Sequence, residues 1–358
     1  MMKVCEGKGL TKDEALFLFD NCSFVIFKDF PEGIEIGIDY ISYTTGPKFM
    51  GLKMIPPGVH YICVSYKGAP RIGFFHCFKD KEIMMKKWNK EKETYDDIKL
   101  SIDEENVIRS NIRNLDKNLG SYPFENMKNW ISLSSFITKD VVDKLNPSCG
   151  RITSQQSFIT EEERINQINK TSNIVDKNNP TRLRFSDQIG LPIFNIKEDE
   201  VINFTEIPKI TIDIVNKRAG TDNSCLLEEL LKNYKNNEKL LGEFQYSFVV
   251  FLIGQAYEGF EQWKRFLHLF STVKSILSSQ VTLFDKIFMI LYYQISTCPE
   301  EFFNEVIENN NFIRCTLSLL FINIEDSNNL PEAFKKKVCK IKCLFEKKFN
   351  CSFDLSNE

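Results

Sequence analysis

The chain has 358 residues, of which 42% are hydrophobic and 27% charged, and a formal net charge of −3 at neutral pH. This balance excludes the disordered class and leaves length for two ordinary domains. The slight acidity argues against a protein that neutralises many phosphates, so direct RNA binding is not the first expectation.

Phe occurs 31 times, which predicts large aromatic cores. The eleven cysteines are odd in number and irregular in spacing, without a C-x-x-C pair, and Met1 to Thr11 holds no apolar signal core. Reduced thiols packed as small hydrophobes are expected, in a cytoplasmic and nuclear protein. The longest apolar run, Phe248 to Gly254, is far short of a bilayer span, so no membrane contact is expected.

Residues 1 to about 100 read as β-rich. Ile34, Ile36, Ile38 and Tyr40 alternate with Glu35, Gly37 and Asp39, the period of a half-buried strand. Val59 to Tyr66 and Ile72 to Phe78 are further strands, and Gly46-Pro47, Pro56-Pro57-Gly58 and Gly68-Ala69-Pro70 are turns. Short strands at this spacing predict a sandwich or barrel-like sheet. From 101 the period becomes helical. Ser101 and Glu104 fit a capping box, Ile108, Ile112, Leu115 and Leu119 recur on one face, and Gly120 suits a C-cap. A second helical stretch carries Trp130, and Pro147 follows it.

Residues 148–182 are rich in Ser, Thr, Asn, Gln and Lys and read as a flexible linker, the alternative being a long surface loop. Residues 183–348 read as a helical domain. Phe244, Phe248, Leu252, Ala256, Phe260, Trp263, Leu267 and Phe270 predict one long amphipathic helix bent at Gly254 or Gly259. Helices around 281–296, 300–308, 310–324 and 331–348 follow. In the tail, 349–358, Phe349, Cys351, Phe353 and Leu355 alternate with polar residues as a short strand would, and such a strand needs an edge in this chain or in a partner. The expected fold is therefore α+β: a β-rich sandwich or barrel-like domain with flanking helices (1–147), a linker, an all-helical domain and a terminal strand.

Chemistry-bearing patterns are sparse. The three histidines, His60, His76 and His268, show no metal-ligand spacing. Phosphate-binding glycine loops and nucleophile elbows do not occur. Asp96-Asp97, Glu228-Glu229 and Glu300-Glu301 suit solvated faces better than acid–base catalysis. Cys339, Cys343 and Cys351 are read as packing residues before a metal site. The lysines between Lys335 and Lys348 suit a solvated helix face before an RNA or acidic-protein contact.

Several segments resemble the A1-cistron-splicing factor family: Gly37 to Tyr40, Gly46 to Phe49, Gly51 to His60, Pro70 to Phe75, Tyr122-Pro123, Trp130 to Leu133, Arg184 to Ser186, Gly242 to Gln245 and Tyr257 to Arg265, in that order. The resemblance implies a non-enzymatic, cofactor-free assembly factor of the U5 snRNP with an N-terminal β-rich and a C-terminal helical domain. Its implied partner is the C-terminal RNase H-like and MPN/JAMM-like region of the large U5 scaffold protein. Binding there would block premature helicase and RNA binding, and other U5 proteins would be met indirectly. The chain is expected to be a monomer on its own, and RNA contact is left open. The rivals are a direct snRNA-binding splicing factor and an enzyme with an unrecognised site.

Candidate partner contacts within the motifs are Gly37, Asp39, Tyr40, Pro56, Pro57, Gly58, His60, Arg71, Glu258, Trp263, Lys264 and Arg265. For most of them a turn-fixing or core-filling role is preferred. Phe349, Cys351, Phe353 and Leu355 form a candidate strand for the partner's sheet, and Ser154, Ser157, Thr160 and Ser172 are candidate phosphosites for release.

Overall fold

The computed structural model describes residues 10–156, 158–160, 194–208, 222–234, 236–298 and 312–353. The first helices start where side chains can satisfy open backbone donors. Thr11 with Glu14 caps α1 (Lys12–Asn21), and Ser101 with Glu104 caps α2 (Ile102–Leu115), each as a reciprocal capping box.

The strands are β1 (Ser23–Lys28), β2 (Ile34–Ile38), β3 (Ile41–Thr44), β4 (Gly51–Ile55), β5 (Gly58–Tyr66), β6 (Ile72–Phe78), β7 (Ile83–Asn89), β8 (Thr94–Ile98), β9 (Leu119–Ser121) and β10 (Ile152–Thr153). They form two five-stranded sheets, ordered β8-β7-β1-β4-β9 and β10-β6-β5-β2-β3. A separate pair joins β11 (Phe158–Thr160) to β12 (Phe194–Ile196). Strand pairing is antiparallel throughout the second sheet, whereas the first carries parallel pairs β1–β7 and β4–β9.

Val25, Phe27, Leu52, Met54 and Trp88 of the first sheet meet Ile34, Ile36, Ile38, Ile62, Val64 and Phe74 of the second in a sandwich core. The outer face of the first sheet, with Phe24, Ile26 and Ile83, is covered by Ile108 and Ile112 of α2. The outer face of the second sheet presents Tyr61, Cys63, Phe75 and Ile152 to the helical half. Burial on both faces explains why β1 and β5 read as continuous apolar runs rather than alternating ones.

The remaining helices are α3 (Met127–Ser134), α4 (Lys139–Leu145), α5 (Ser224–Tyr234), α6 (Asn237–Leu252), α7 (Tyr257–Thr272), α8 (Val281–Thr297), α9 (Phe312–Asp326) and α10 (Glu332–Phe349). Helix α6 is buried on all sides from Leu240 to Val250 and forms the axis of the helical core.

Four expectations are corrected. The long helix from Phe244 to Phe270 is an antiparallel pair, α6 and α7, broken at Gln255 in the left-handed region (φ 57°). Phe251–Phe260, Phe248–Trp263 and Phe244–Phe266 are its rungs, with centroids 4.6, 5.5 and 5.6 Å apart, so two facing stripes share one period. Gly120 is not a helix cap; α2 ends five residues earlier and Gly120 pairs with Leu52 in β9. The start of the expected linker is docked: Ile152 and Thr153 pair with Gly73 and Ile72, and Ile152 is buried.

The tail is not a strand in the described residues. Phe349 ends α10, Asn350 takes a left-handed cap (φ 49°), and Phe353 is buried with its ring 5.5 Å from Phe321. The alternation instead reflects two inward rings flanking a helix end. Leu355 lies outside the described residues, as does the expected helix at 300–308.

Candidate functional site

The motif residues gather along the seam between the second sheet and the helical core. At one end, Ile38 and Ile41 close the β2–β3 hairpin, leaving Asp39 and Tyr40 as a two-residue turn. Asp39 takes φ 55°, a left-handed conformation that Asp tolerates better than most residues. Its buried carboxylate accepts from Tyr61 N–H at 3.1 Å, His60 Nδ1 at 2.8 Å and Tyr122 Oη at 2.7 Å. His60 Nε2 lies 3.0 Å from the Pro56 carbonyl oxygen. Both ring nitrogens thus face oxygen atoms. The indole of Trp130 stacks on this imidazole and donates to the Val59 carbonyl at 2.9 Å. Burial, then the Asp39 charge, pushes the Tyr122 hydroxyl far above its ordinary range.

Arg71 ties the two halves together. One guanidinium nitrogen donates to the Ile253 carbonyl at the end of α6 (2.9 Å), and another to Glu35 Oε1 (2.9 Å). Beside it, the Tyr61 phenol fills a notch between Gly73 and Gly254, where a Cβ on either glycine would collide with its oxygen. That oxygen is buried without a hydrogen-bond partner among the described residues. Phe75 stacks on Tyr246 of α6 at 4.6 Å.

Two polar residues of α6 complete the seam. Gln245 accepts from the Phe136 N–H at 2.7 Å between α3 and α4. Glu243 accepts from Thr205 N–H (2.7 Å), Thr205 Oγ1 (2.8 Å), Tyr234 Oη (2.7 Å), Gln262 Nε2 (3.2 Å) and Lys144 Nζ (3.3 Å). A cavity of about 250 Å³ between α4, α5 and α6 opens above Glu243, whose carboxylate is already saturated by these donors.

The other candidates divide clearly. Gly37 is buried opposite Cys63, and a Cβ there would come within 2.6 Å of its sulfur. Pro56 is buried, Pro57 is exposed, and Gly58 takes φ 129°, a left-handed value that excludes most side chains. Trp263 is fully buried and donates to Gln294 at 2.9 Å, so it is core. Glu258 accepts from Gln156, and burial raises its carboxyl above the usual range. Besides Pro57, three candidates reach the surface. Tyr40 donates to the Thr297 carbonyl at 3.2 Å and remains half exposed. Lys264 pairs with Glu261 over the Phe260 ring (4.7 Å), and Arg265 stands near the same carboxylate.

Ser154 is half buried, with its N–H on the Arg71 carbonyl (2.9 Å). Thr160 lies in β11, and Ser157 and Ser172 lie outside the described residues.

The seam is built to hold two halves in register. Its thiols are passive: burial pushes Cys63 to about 11 and Cys298 to about 12. Among the described residues no group of three or more His, Cys, Asp or Glu is placed to hold a metal. Glu243, Gln245 and Tyr122 escaped the candidate set; an acid and an amide inside an otherwise apolar run were the signal for the first two.

Comparison with known proteins agrees with this arrangement. The AAR2 N-terminal domain family model matches residues 21–147, and the AAR2 C-terminal repeat region matches residues 204–354. The chain is 42% identical over 356 residues to Protein AAR2 homolog of Caenorhabditis elegans, covering 97% of this chain and 99% of that protein. It is 33% identical over 358 residues to Protein AAR2 homolog of Mus musculus, covering 94% and 91%. It is 24% identical over 297 residues to A1 cistron-splicing factor AAR2 of Saccharomyces cerevisiae, covering 78% of each. With both halves matched in order across a shared seam, the chain belongs to the AAR2 family.

Proposed function

We propose that the chain is a splicing factor that works without catalysis, as an assembly factor of the U5 snRNP in cytoplasm and nucleus. It binds the C-terminal RNase H-like and MPN/JAMM-like region of the large U5 scaffold protein and keeps helicase and RNA away until maturation. The observation that carries this reading is the match of both family halves, in order, to relatives that include a yeast protein named as a splicing factor. The buried, saturated polar network at the seam supports a structural role rather than a reaction centre, since its acid and imidazole are enclosed.

The test is calorimetry of the purified chain with that scaffold region, followed by competition with the helicase. A stable complex that excludes the helicase is expected. Two folded proteins that do not associate would overturn the proposal.

The tail beyond Phe353 is proposed to contact the scaffold, Phe349 and Phe353 being held in this chain's own core. Deleting 349–358 also removes Phe349 and Phe353 from the core, so deleting 354–358 alone separates binding from folding. Weaker scaffold binding is expected; unchanged affinity refutes the tail contact. Phosphorylation at Ser154, Ser157, Thr160 or Ser172 is proposed to release the scaffold by added negative charge. Acidic substitutions at those four positions that leave affinity unaltered would refute this.

A further inference from the structure

Helix α10 packs Phe334, Val338, Ile341 and Phe345 inward and carries a strongly basic sequence outward. The fold neutralises part of that charge. Lys337 pairs with Asp285 (2.6 Å), Lys342 with Glu325 (3.0 Å), and Lys348 donates to the carbonyls of Ile295, Ser296 and Cys298 at 2.7 to 3.0 Å. Lys336, Lys340 and Lys347 are exposed and make no ion pair among the described residues. With Cys339 and Cys343 they are spaced three or four residues apart, so they share one face. Leu344, 49% exposed, borders that face.

A solvated helix face ordinarily mixes charges of both signs. Here Glu346 is engaged with the Phe353 N–H (3.1 Å), and between Lys336 and Lys347 the face holds no acid. Lys336 and Lys340 repel each other across one turn. Exposed Glu332, one turn before Lys336, offsets only part of this charge, and the remainder becomes favourable when an anionic surface lies against it.

We propose that this face of α10 docks an acidic helix of a partner protein. Carboxylates about 6 Å and about 10 Å apart along that helix would match the lysine spacing, and apolar side chains between them would meet Leu344 and the two thiols. A protein fits better than RNA. The face has no exposed aromatic ring and no arginine, the groups that stack on or read bases. The proposal goes beyond the scaffold reading and does not depend on it.

The probe is a synthetic helical peptide with Glu at positions i, i+4 and i+11 and Leu between, with a scrambled peptide and an oligouridine as comparisons. Binding to the full chain should weaken with salt and slow N-ethylmaleimide alkylation of Cys339 and Cys343. The triple variant K336E/K340E/K347E should lose about tenfold or more in affinity, the scale of three exposed ion pairs together, whereas the triple arginine variant should retain binding. Thiol protection in the unmodified chain is a readout that needs no variant. Failure of the peptide to bind, binding indifferent to charge reversal, or oligouridine protecting the thiols where the peptide does not would overturn the proposal. Each of these outcomes is independent of whether the scaffold region binds.

Discussion

Removing one hydroxyl tests the buried turn lock. In Tyr122→Phe the ring and its edge contacts with His60 and Phe124 are kept, and only the 2.7 Å bond to Asp39 Oδ2 is lost. A hydrogen bond to a buried carboxylate contributes about 1.5–3 kcal/mol, so the variant should lose about 2 kcal/mol of unfolding free energy. Urea denaturation followed by circular dichroism measures this as a lower midpoint at unchanged slope. The second arm repeats Tyr122→Phe in an Asp39→Ala background. There the phenol has already lost its acceptor, so the same change should be nearly neutral or stabilising. A loss under about 0.5 kcal/mol in the parent chain, or an equal loss in both backgrounds, would show that the hydroxyl does not act through Asp39.

Tyr61→Phe removes a buried hydroxyl that has no partner among the described residues, so unfolding should show unchanged or raised stability. Gly73→Ala should cost about 1–3 kcal/mol by overpacking, and Tyr61→Phe should recover only part of that loss in thermal melts, because the ring carbon Cζ, 2.5 Å from such a Cβ, stays after the oxygen is removed. Burial works against the Asp222 carboxylate, but hydrogen bonds from Ser224, Ser275 and Lys274 outweigh it and hold the group at about 2, below the ordinary 3.8. A depressed acid stabilises the fold above its unfolded pKa. The stability difference between the parent and Asp222→Ala should therefore be full above about pH 4 and fade towards pH 2 in a denaturation series. In native thiol titration at pH 8, exposed Cys225, Cys339 and Cys343 should react quickly, and buried Cys22, Cys63 and Cys298 only after denaturant is added.

The sequence signals that survived are those in which local chemistry and tertiary demand agree. The Ser101–Glu104 box starts α2, and Ile72 to Phe78 is a strand, because capping and a run rich in aromatic residues act within a few residues. The split between α6 and α7 was illegible because two helices folded back on each other keep their apolar stripes in phase; only the left-handed Gln255 breaks them. The tail misled because Phe349 and Phe353 point inward at a period that a strand also has. At the site, the residue types were visible but their grouping was not. Asp39, His60 and Tyr122 are brought together by the hairpin turn and by the entry of β9 beside β4, a long-range pairing that spacing does not encode.

The face of Tyr61, Cys63 and Phe75 belongs to the sandwich by chain order but to the helical core by contact. Cutting the chain between its two family-matched segments would therefore leave each fragment with a raw aromatic wound. Expressed alone, the sandwich half would present Phe75 to water and the helical half would present Tyr246, surfaces that drive aggregation. Melting of the intact chain should accordingly be a single event. A substitution on the sheet would then lower the melting temperature of the helices as well, and any partner gripping one half holds the other.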